Sequence, residues 1–279
     1  MVYRLPRSRA RLFVAALASS VATAAVAGSA SNPPAEQPYG WLLTVKGNVL
    51  VSPEFPGADS YSFIAYPSLS LRRAGTAEGF NAPDDGISLA LFGNSSWSAG
   101  LVGRYQTGRY SGDDRKLTGL HDARWAVEPG LFAEYWPLQD TVRLRGEMRF
   151  GLNGYNGLVG NLSLDYVHRV GKFVISGGPR MAISGTDYMV TYFGVTAQDA
   201  LNNAAVTAYK PDAGIKSVGL AAAATYKWNE SWATTVNAGY DRLVGSAADS
   251  PIVKNLGTSN QFTFGASASY TFPLGYAER

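Results

Sequence analysis

The chain has 279 residues, only 16% of them charged, with 31 glycines, 16 tyrosines, 12 phenylalanines, 6 tryptophans and no cysteine. The missing cysteines exclude disulfides, thiol nucleophiles and thiolate metal sites, and two histidines, His121 and His168, are too few for an imidazole-based metal centre. The formal charge of +3 misleads, because four arginines (Arg4, Arg7, Arg9 and Arg11) sit in the first eleven residues.

Those arginines precede an alanine-rich apolar stretch, Leu12 to Ala27, that ends on the small residues Ala25 and Ala27. A basic start, a short apolar run and a small-residue end describe a secretory signal peptide over residues 1–27. An N-terminal membrane anchor is the alternative, but Ser19, Ser20, Thr23 and the many alanines make the stretch weakly apolar. Removing residues 1–27 takes away four arginines and no acid, which leaves 20 basic and 21 acidic side chains and a net charge of −1. No nucleic-acid partner is expected from such a balance. Residues 28–38, rich in Ser, Pro and Ala, read as a flexible periplasmic leader.

From residue 39 onward the chain reads as strands separated by turn clusters. Trp41, Leu43, Val45, Gly47 and Val49 alternate with Leu42, Thr44, Lys46 and Asn48; a second run follows from Phe63 to Arg72. The turn Pro83-Asp84-Asp85-Gly86 leads to a shorter element at Ile87–Leu91, and Trp97–Gln106 comes next. Trp125, Val127, Leu131, Ala133 and Tyr135 share one face, with Arg124, Glu128, Phe132 and Glu134 on the other. The clearest strand is Val142–Phe150. Val142, Leu144, Gly146, Met148 and Phe150 form an apolar face, and Arg143, Arg145, Glu147 and Arg149 a fully charged one.

Leu158–Tyr166 alternates in the same way, and Gly171-Lys172 turns into Phe173–Ile183, where Gly177-Gly178-Pro179 weakens the pattern at a candidate bulge. Residues 186–213 read as one long loop, with Tyr188–Val195 strand-like and Gln198–Ala208 able to form a short helix. Strands resume at Val218–Trp228 and Trp232–Tyr240. A second loop, Leu243–Asn260, precedes the last strand, on which Phe262, Phe264, Ala266, Ala268, Tyr270 and Phe272 share a face.

This pattern, beside a secretion signal, predicts an all-β fold: a closed antiparallel transmembrane β-barrel of about 12 strands (10–14) over residues 39–279, in the outer membrane of a Gram-negative bacterium. The count of eleven or twelve depends on whether Glu78–Asn81 forms a short strand. Lipid and lipopolysaccharide are the expected surroundings. No later stretch is long and apolar enough for a helix to span a membrane, and a barrel is the alternative that lipid allows. Tight turns at Gly171-Lys172 and Asn229-Glu230 belong at the periplasmic end. Segments 107–122, 186–213 and 243–260 belong outside. Aromatics near strand ends (Trp41, Trp97, Trp125, Tyr135, Trp136, Trp228, Trp232, Tyr270) suit interfacial girdles, although aromatics are favoured in any strand. On the polar strand phase, Arg104, Arg124, Glu128, Glu134, Arg143, Arg145, Glu147, Arg149, Asp165, Lys227 and Asp241 are expected to point into the lumen. Mixed signs favour a salt-bridged plug over an open pore.

Several stretches resemble the MipA/OmpV family of outer-membrane proteins, from about Tyr39 to Phe272. An early region carries Gly57, Asp59 and Tyr61, followed by Pro67. A middle one carries Gly119, Leu120 and Asp122, then Glu128 and Gly130. Tyr192-Phe193-Gly194-Val195-Thr196 resembles the family's loop entry. The most specific match runs from Arg242-Leu243 to Asp249-Ser250-Pro251-Ile252-Val253. Ala58 and Ser246 depart from the family pattern, and Pro273–Arg279 extends past the aromatic on which many barrels end.

The resemblance implies a non-enzymatic barrel that brings a murein-cleaving lytic transglycosylase together with a murein synthase. Other members are porin-like or adhesive, so a narrow channel for small polar solutes and an adhesin acting through its outer loops stay open. No cofactor, metal site or catalytic residue is expected. Neither His121 nor His168 stands in a recognisable nucleophile–base pattern. Asp249-Ser250-Pro251 reads as turn chemistry rather than as a reactive or metal-binding motif, and no calcium-loop spacing is present.

Overall fold

The computed structural model describes residues 19–21, 40–74 and 79–274. The candidate signal and leader, apart from Ser19–Val21, lie outside the described residues, as do Glu78 and the last five residues.

Among the described residues, eleven strands lie between Trp41 and Leu274: β2 (Trp41–Pro53), β3 (Tyr61–Arg73), β4 (Ile87–Gly93), β5 (Trp97–Gln106), β6 (Ala126–Leu138), β7 (Val142–Phe150), β8 (Leu158–Val170), β9 (Phe173–Ser184), β10 (Gly214–Lys227), β11 (Trp232–Leu243) and β12 (Asn260–Leu274). A three-residue strand, β1 (Ser19–Val21), precedes them. All belong to one sheet in the order β1-β3-β2-β12-β11-β10-β9-β8-β7-β6-β5-β4. Every ladder from β3 round to β4 is antiparallel, so β3 and β4, at its two ends, run in the same direction. β1 pairs parallel with β3 and lies near β4, and the sheet is strongly curled. Gly79, Phe80 and Asn81 belong to no strand.

Alternation decides which face of the sheet is wet. On β7, Val142, Leu144, Met148 and Phe150 are half-buried or exposed, while Arg143, Arg145, Glu147 and Arg149 are buried. The convex face is therefore apolar: Phe63, Leu131, Met148 and Leu220 are each about 60% exposed or more. An apolar exterior around a charged interior inverts the arrangement of a water-soluble sheet protein.

One end of the sheet carries tight turns, at 139–141, 171–172 and 229–231, helped by Asp140 and Gly171 at positive φ (59° and 56°). The 94–96 turn lies at this end too, and the other end carries the long segments 107–122, 186–213 and 244–259. Tyr188–Val195, expected as strand-like, is instead a helix, α1 (Thr186–Phe193). Its buried residues Tyr188, Met189, Tyr192 and Phe193 recur at helical spacing and have no sheet edge to join. The helix expected within 198–208 is α2 (Ala197–Asn202), opened by a capping box between Thr196 and Asp199. The loop after β11 holds α3 (Gly245–Asp249) and α4 (Pro251–Leu256). The expected bulge at Gly177–Pro179 falls elsewhere: the β8–β9 and β9–β10 registers run through it unshifted, and the irregularity lies between Ile215 and Ser217 on β10. Gly178 serves close strand approach instead, since a Cβ there would lie 2.0 Å from the Leu164 carbonyl oxygen.

Candidate functional site: an ion-paired lumen beneath a folded cap

Two assemblies fill the inside and the loop end. The first is a network of charges on β5–β9. Glu147 is its hub: it accepts from Arg104 Nε (2.9 Å), Arg145 Nε (3.0 Å) and Arg149 Nη1 (2.6 Å). Arg149 reaches on to Glu128 (3.0 Å), which also accepts from the Tyr155 hydroxyl (2.6 Å). Glu134 accepts from Arg145 Nη1 at 3.3 Å. Arg143, with no exposed surface, donates Nε (3.0 Å) and Nη2 (2.6 Å) to Asp165, itself fully buried. Arg145 also lies over the Phe132 ring, 4.1 Å from its centroid. Buried charges persist when they are paired or hydrogen-bonded.

Sequence reasoning missed three members of this network. Arg180 on β9 donates to Asp165 at 2.7 Å. Asp84 and Asp85 come from the turn between β3 and β4, which folds inward rather than outward. Asp85 receives Nη1 (2.7 Å) and Nη2 (3.0 Å) of Arg143, and Asp84 receives Nε (2.6 Å) and Nη2 (3.1 Å) of Arg180. The Gly86 amide donates to Glu147 at 3.3 Å, and Phe80 lies against the Arg143 guanidinium at 4.8 Å. The signal for Arg180 was its place on the inward phase of β9, obscured by Gly177-Gly178-Pro179.

The other expected lumen charges are placed differently. Arg124 lies before β6 begins, is exposed, and contributes its carbonyl oxygen to the Tyr192 hydroxyl (2.9 Å). It is therefore no part of the charged network. Lys227 is exposed at the last position of β10, at the tight-turn end. Asp241 is half-buried and lines a cavity with Lys216, which was not singled out from the sequence and donates to the Tyr188 hydroxyl at 3.3 Å. Cavities of about 150 and 160 Å³ adjoin the network.

The second assembly is a cap with its own core. Tyr188, Met189, Tyr192 and Phe193 of α1 pack with Tyr155, Leu243, Ala247 and Val253. Phe55, Leu117, Leu120, Val195, Val206, Ile252 and Leu256 form a neighbouring cluster. Most residues that carried the family resemblance converge here from distant stretches. Gly57, at φ +96°, donates its amide to Gln261 (2.9 Å), and a Cβ on it would lie 2.8 Å from Val253. Asp59 pairs with Lys116 across the loop surface (2.6 Å). Gly119 holds φ +91° beside Asn202, Leu120 is buried, and Asp122 accepts from the Ser111 amide (2.7 Å). Gly194 ends α1 by donating to the Val190 carbonyl. Ser250 accepts from the Ile252 amide as N-cap of α4 and donates to the Phe193 carbonyl at 2.6 Å, with Pro251 next in the first turn. Asp249 pairs with Lys254 (2.8 Å), so this stretch is cap chemistry. Tyr61 and Pro67 are exposed on β3, and Gly130 lets the Met148 carbonyl approach within 2.2 Å of where a Cβ would be.

Two polar groups pin the cap. Asp199 accepts from the His121 amide (2.8 Å) and meets its Nδ1 at 2.6 Å. Burial alone would raise the Asp199 pKa, but hydrogen bonds from His121 and Thr196 outweigh it and hold the carboxyl below its ordinary range. Arg109 is buried, and burial lowers its pKa to about 10 against the pull of Asp199 and Asp122. It donates to the carbonyls of His121 (3.1 Å) and Tyr192. His168 is exposed beside Tyr166, ring planes nearly parallel. No group of three or more potential metal ligands occurs among the described residues.

The sequence matches the family described as MltA-interacting protein MipA over residues 47–272. The chain belongs to that family. No curated protein matches it significantly. Among solved structures, the NanC porin is similar at 10% identity and a TM-score of 0.41, over 82% of this chain and 98% of that one. An outer-membrane channel from Pseudomonas putida F1 is similar at 10% identity and a TM-score of 0.39, over 87% of this chain and 100% of that one. The N-terminal β-barrel domain of Pseudomonas aeruginosa OprF is similar at 8% identity and a TM-score of 0.24, over 82% and 97%.

Proposed function

We propose that the mature chain is a sealed, non-enzymatic outer-membrane β-barrel that works as a scaffold, holding a murein-cleaving transglycosylase and a murein synthase at the membrane. Residues 1–27, β1 included, are its removable signal, so in the mature chain β3 and β4 pair directly to close the barrel; the tight-turn end faces the periplasm, and the cap faces outward. Lipid covers the apolar convex face. The observation that carries the reading is the mutual pairing of the charges that β5–β9 and the inward turn send into the interior. Arginines and carboxylates there pair with one another, and the cavities of about 150 and 160 Å³ beside them are smaller than an oligosaccharide site. An interior paired in this way blocks passage through the barrel, so the scaffold acts through its surfaces. The family description supplies the partner class, a transglycosylase.

The test is a pair of measurements on the refolded mature chain. Capture of a purified periplasmic murein transglycosylase, together with no conductance across a planar bilayer, supports the scaffold. Stable openings in the unmodified chain, or no transglycosylase binding in the presence of a murein synthase, overturn it.

A further inference from the structure

The inward turn suggests a ligand class for the lumen. Arg143 and Arg180 each hold a carboxylate through two nitrogens: Asp85 at 2.7 and 3.0 Å, Asp84 at 2.6 and 3.1 Å. Paired N–H donors against both oxygens of a carboxylate are the geometry with which guanidinium recognises free carboxylates. The two arginines stand on β7 and β9 and are bridged by Asp165 on β8, which contacts both at 2.6 and 2.7 Å. That bridge fixes the guanidinium groups relative to each other without help from the turn.

The occupants are of another kind. Asp84 and Asp85 belong to a connection, not to the wall, and the Asp84 side chain is 42% exposed. The wall's ion-paired groups number five arginines and four carboxylates, so it is positive by one until the turn arrives. The cavity of about 150 Å³ adjoins both aspartates and Arg180.

We propose that Arg143 and Arg180 form a binding site for a small dicarboxylate, which Asp84 and Asp85 occupy from within the chain. A soluble dicarboxylate competes with the turn for the same two guanidinium groups. The site is independent of the scaffold reading, since binding requires neither conduction nor a murein enzyme.

The experiment is calorimetric titration of succinate into the refolded mature chain in micelles at low salt. The Asp84→Asn/Asp85→Asn variant is compared with the unmodified chain, and both are first shown to be folded by heat-modifiable migration. The double variant binds succinate at least about tenfold more tightly than the unmodified chain, and more tightly than it binds propionate, because only a dicarboxylate engages both forks. Adding Arg180→Gln removes the gain. Equal affinity in the two folded chains, or a gain that survives Arg180→Gln, overturns the proposal. If the double variant does not fold, Asp84→Asn alone, whose partly exposed side chain is the least needed for packing, frees the Arg180 fork, and the criteria are then tighter succinate binding than in the unmodified chain and loss of that gain with Arg180→Gln.

Discussion

At the scale of single residues, Glu147 holds the interior together, because three arginines converge on its two oxygens. Glu147→Gln leaves the carboxamide unable to neutralise any of them. Breaking a buried ion pair from one side costs about 3–5 kcal/mol. The variant is expected to lose stability of that order in urea unfolding monitored by tryptophan fluorescence. In the cap, Asp199 titrates below the ordinary carboxylate range, so its contribution is complete above the unfolded pKa. It fades as pH falls through the lower folded value. Asp199→Ala is expected to speed proteolysis of the 107–122 loop at pH 7, and the two chains should converge as the pH falls through the lowered folded value and the native carboxylate also protonates. The charges on β7 were legible in the sequence because strict alternation on one strand leaves a single reading. Arg180 was hidden by two glycines and a proline that dilute the alternation on β9, and Lys216 by the irregularity on β10. Asp84 and Asp85 were legible as a turn, but nothing local says whether a turn folds outward or inward; that depends on arginines some sixty and a hundred residues away.

At the scale of elements, strand phase was readable wherever a lipid-facing side chain alternated with an interior one, which covers most of the sheet. α1 was not, because Tyr188–Val195 has the aromatic and β-branched residues that also suit a strand. Its helical state follows from the core it serves, where Tyr188, Met189, Tyr192 and Phe193 all need partners and receive them from α3, α4 and Tyr155. Ser250 joins two of these elements, capping α4 and holding the end of α1 through the Phe193 carbonyl. Ser250→Ala removes both bonds from a fully buried position and is expected to cost about 1–3 kcal/mol. Limited proteolysis within 186–213 and 245–257 together, with the strands still protected, is the result that identifies the two loops as one unit.

At the scale of the whole molecule, the interior network and the cap meet at Tyr155 and Tyr188 but make different demands on function. The excursion 196–208 begins and ends at one place, since Val195 and Tyr209 exchange both backbone hydrogen bonds (2.9 and 2.8 Å). Replacing it with a two-residue Asn-Gly turn should therefore leave the sheet in register. The shortened chain is expected to remain heat-modifiable and to become protease-sensitive at 107–122, where Asp199 and Asn203 no longer hold the loop. It should still conduct no current, because the ion network around Glu147 lies beneath the cap and does not depend on α2. Transglycosylase capture should be unchanged, because the tight-turn end is untouched. An adhesin working through these loops would instead lose attachment while keeping its fold, and a channel gated by the cap would begin to conduct. The one deletion thus separates the three functions by which end of the molecule each requires.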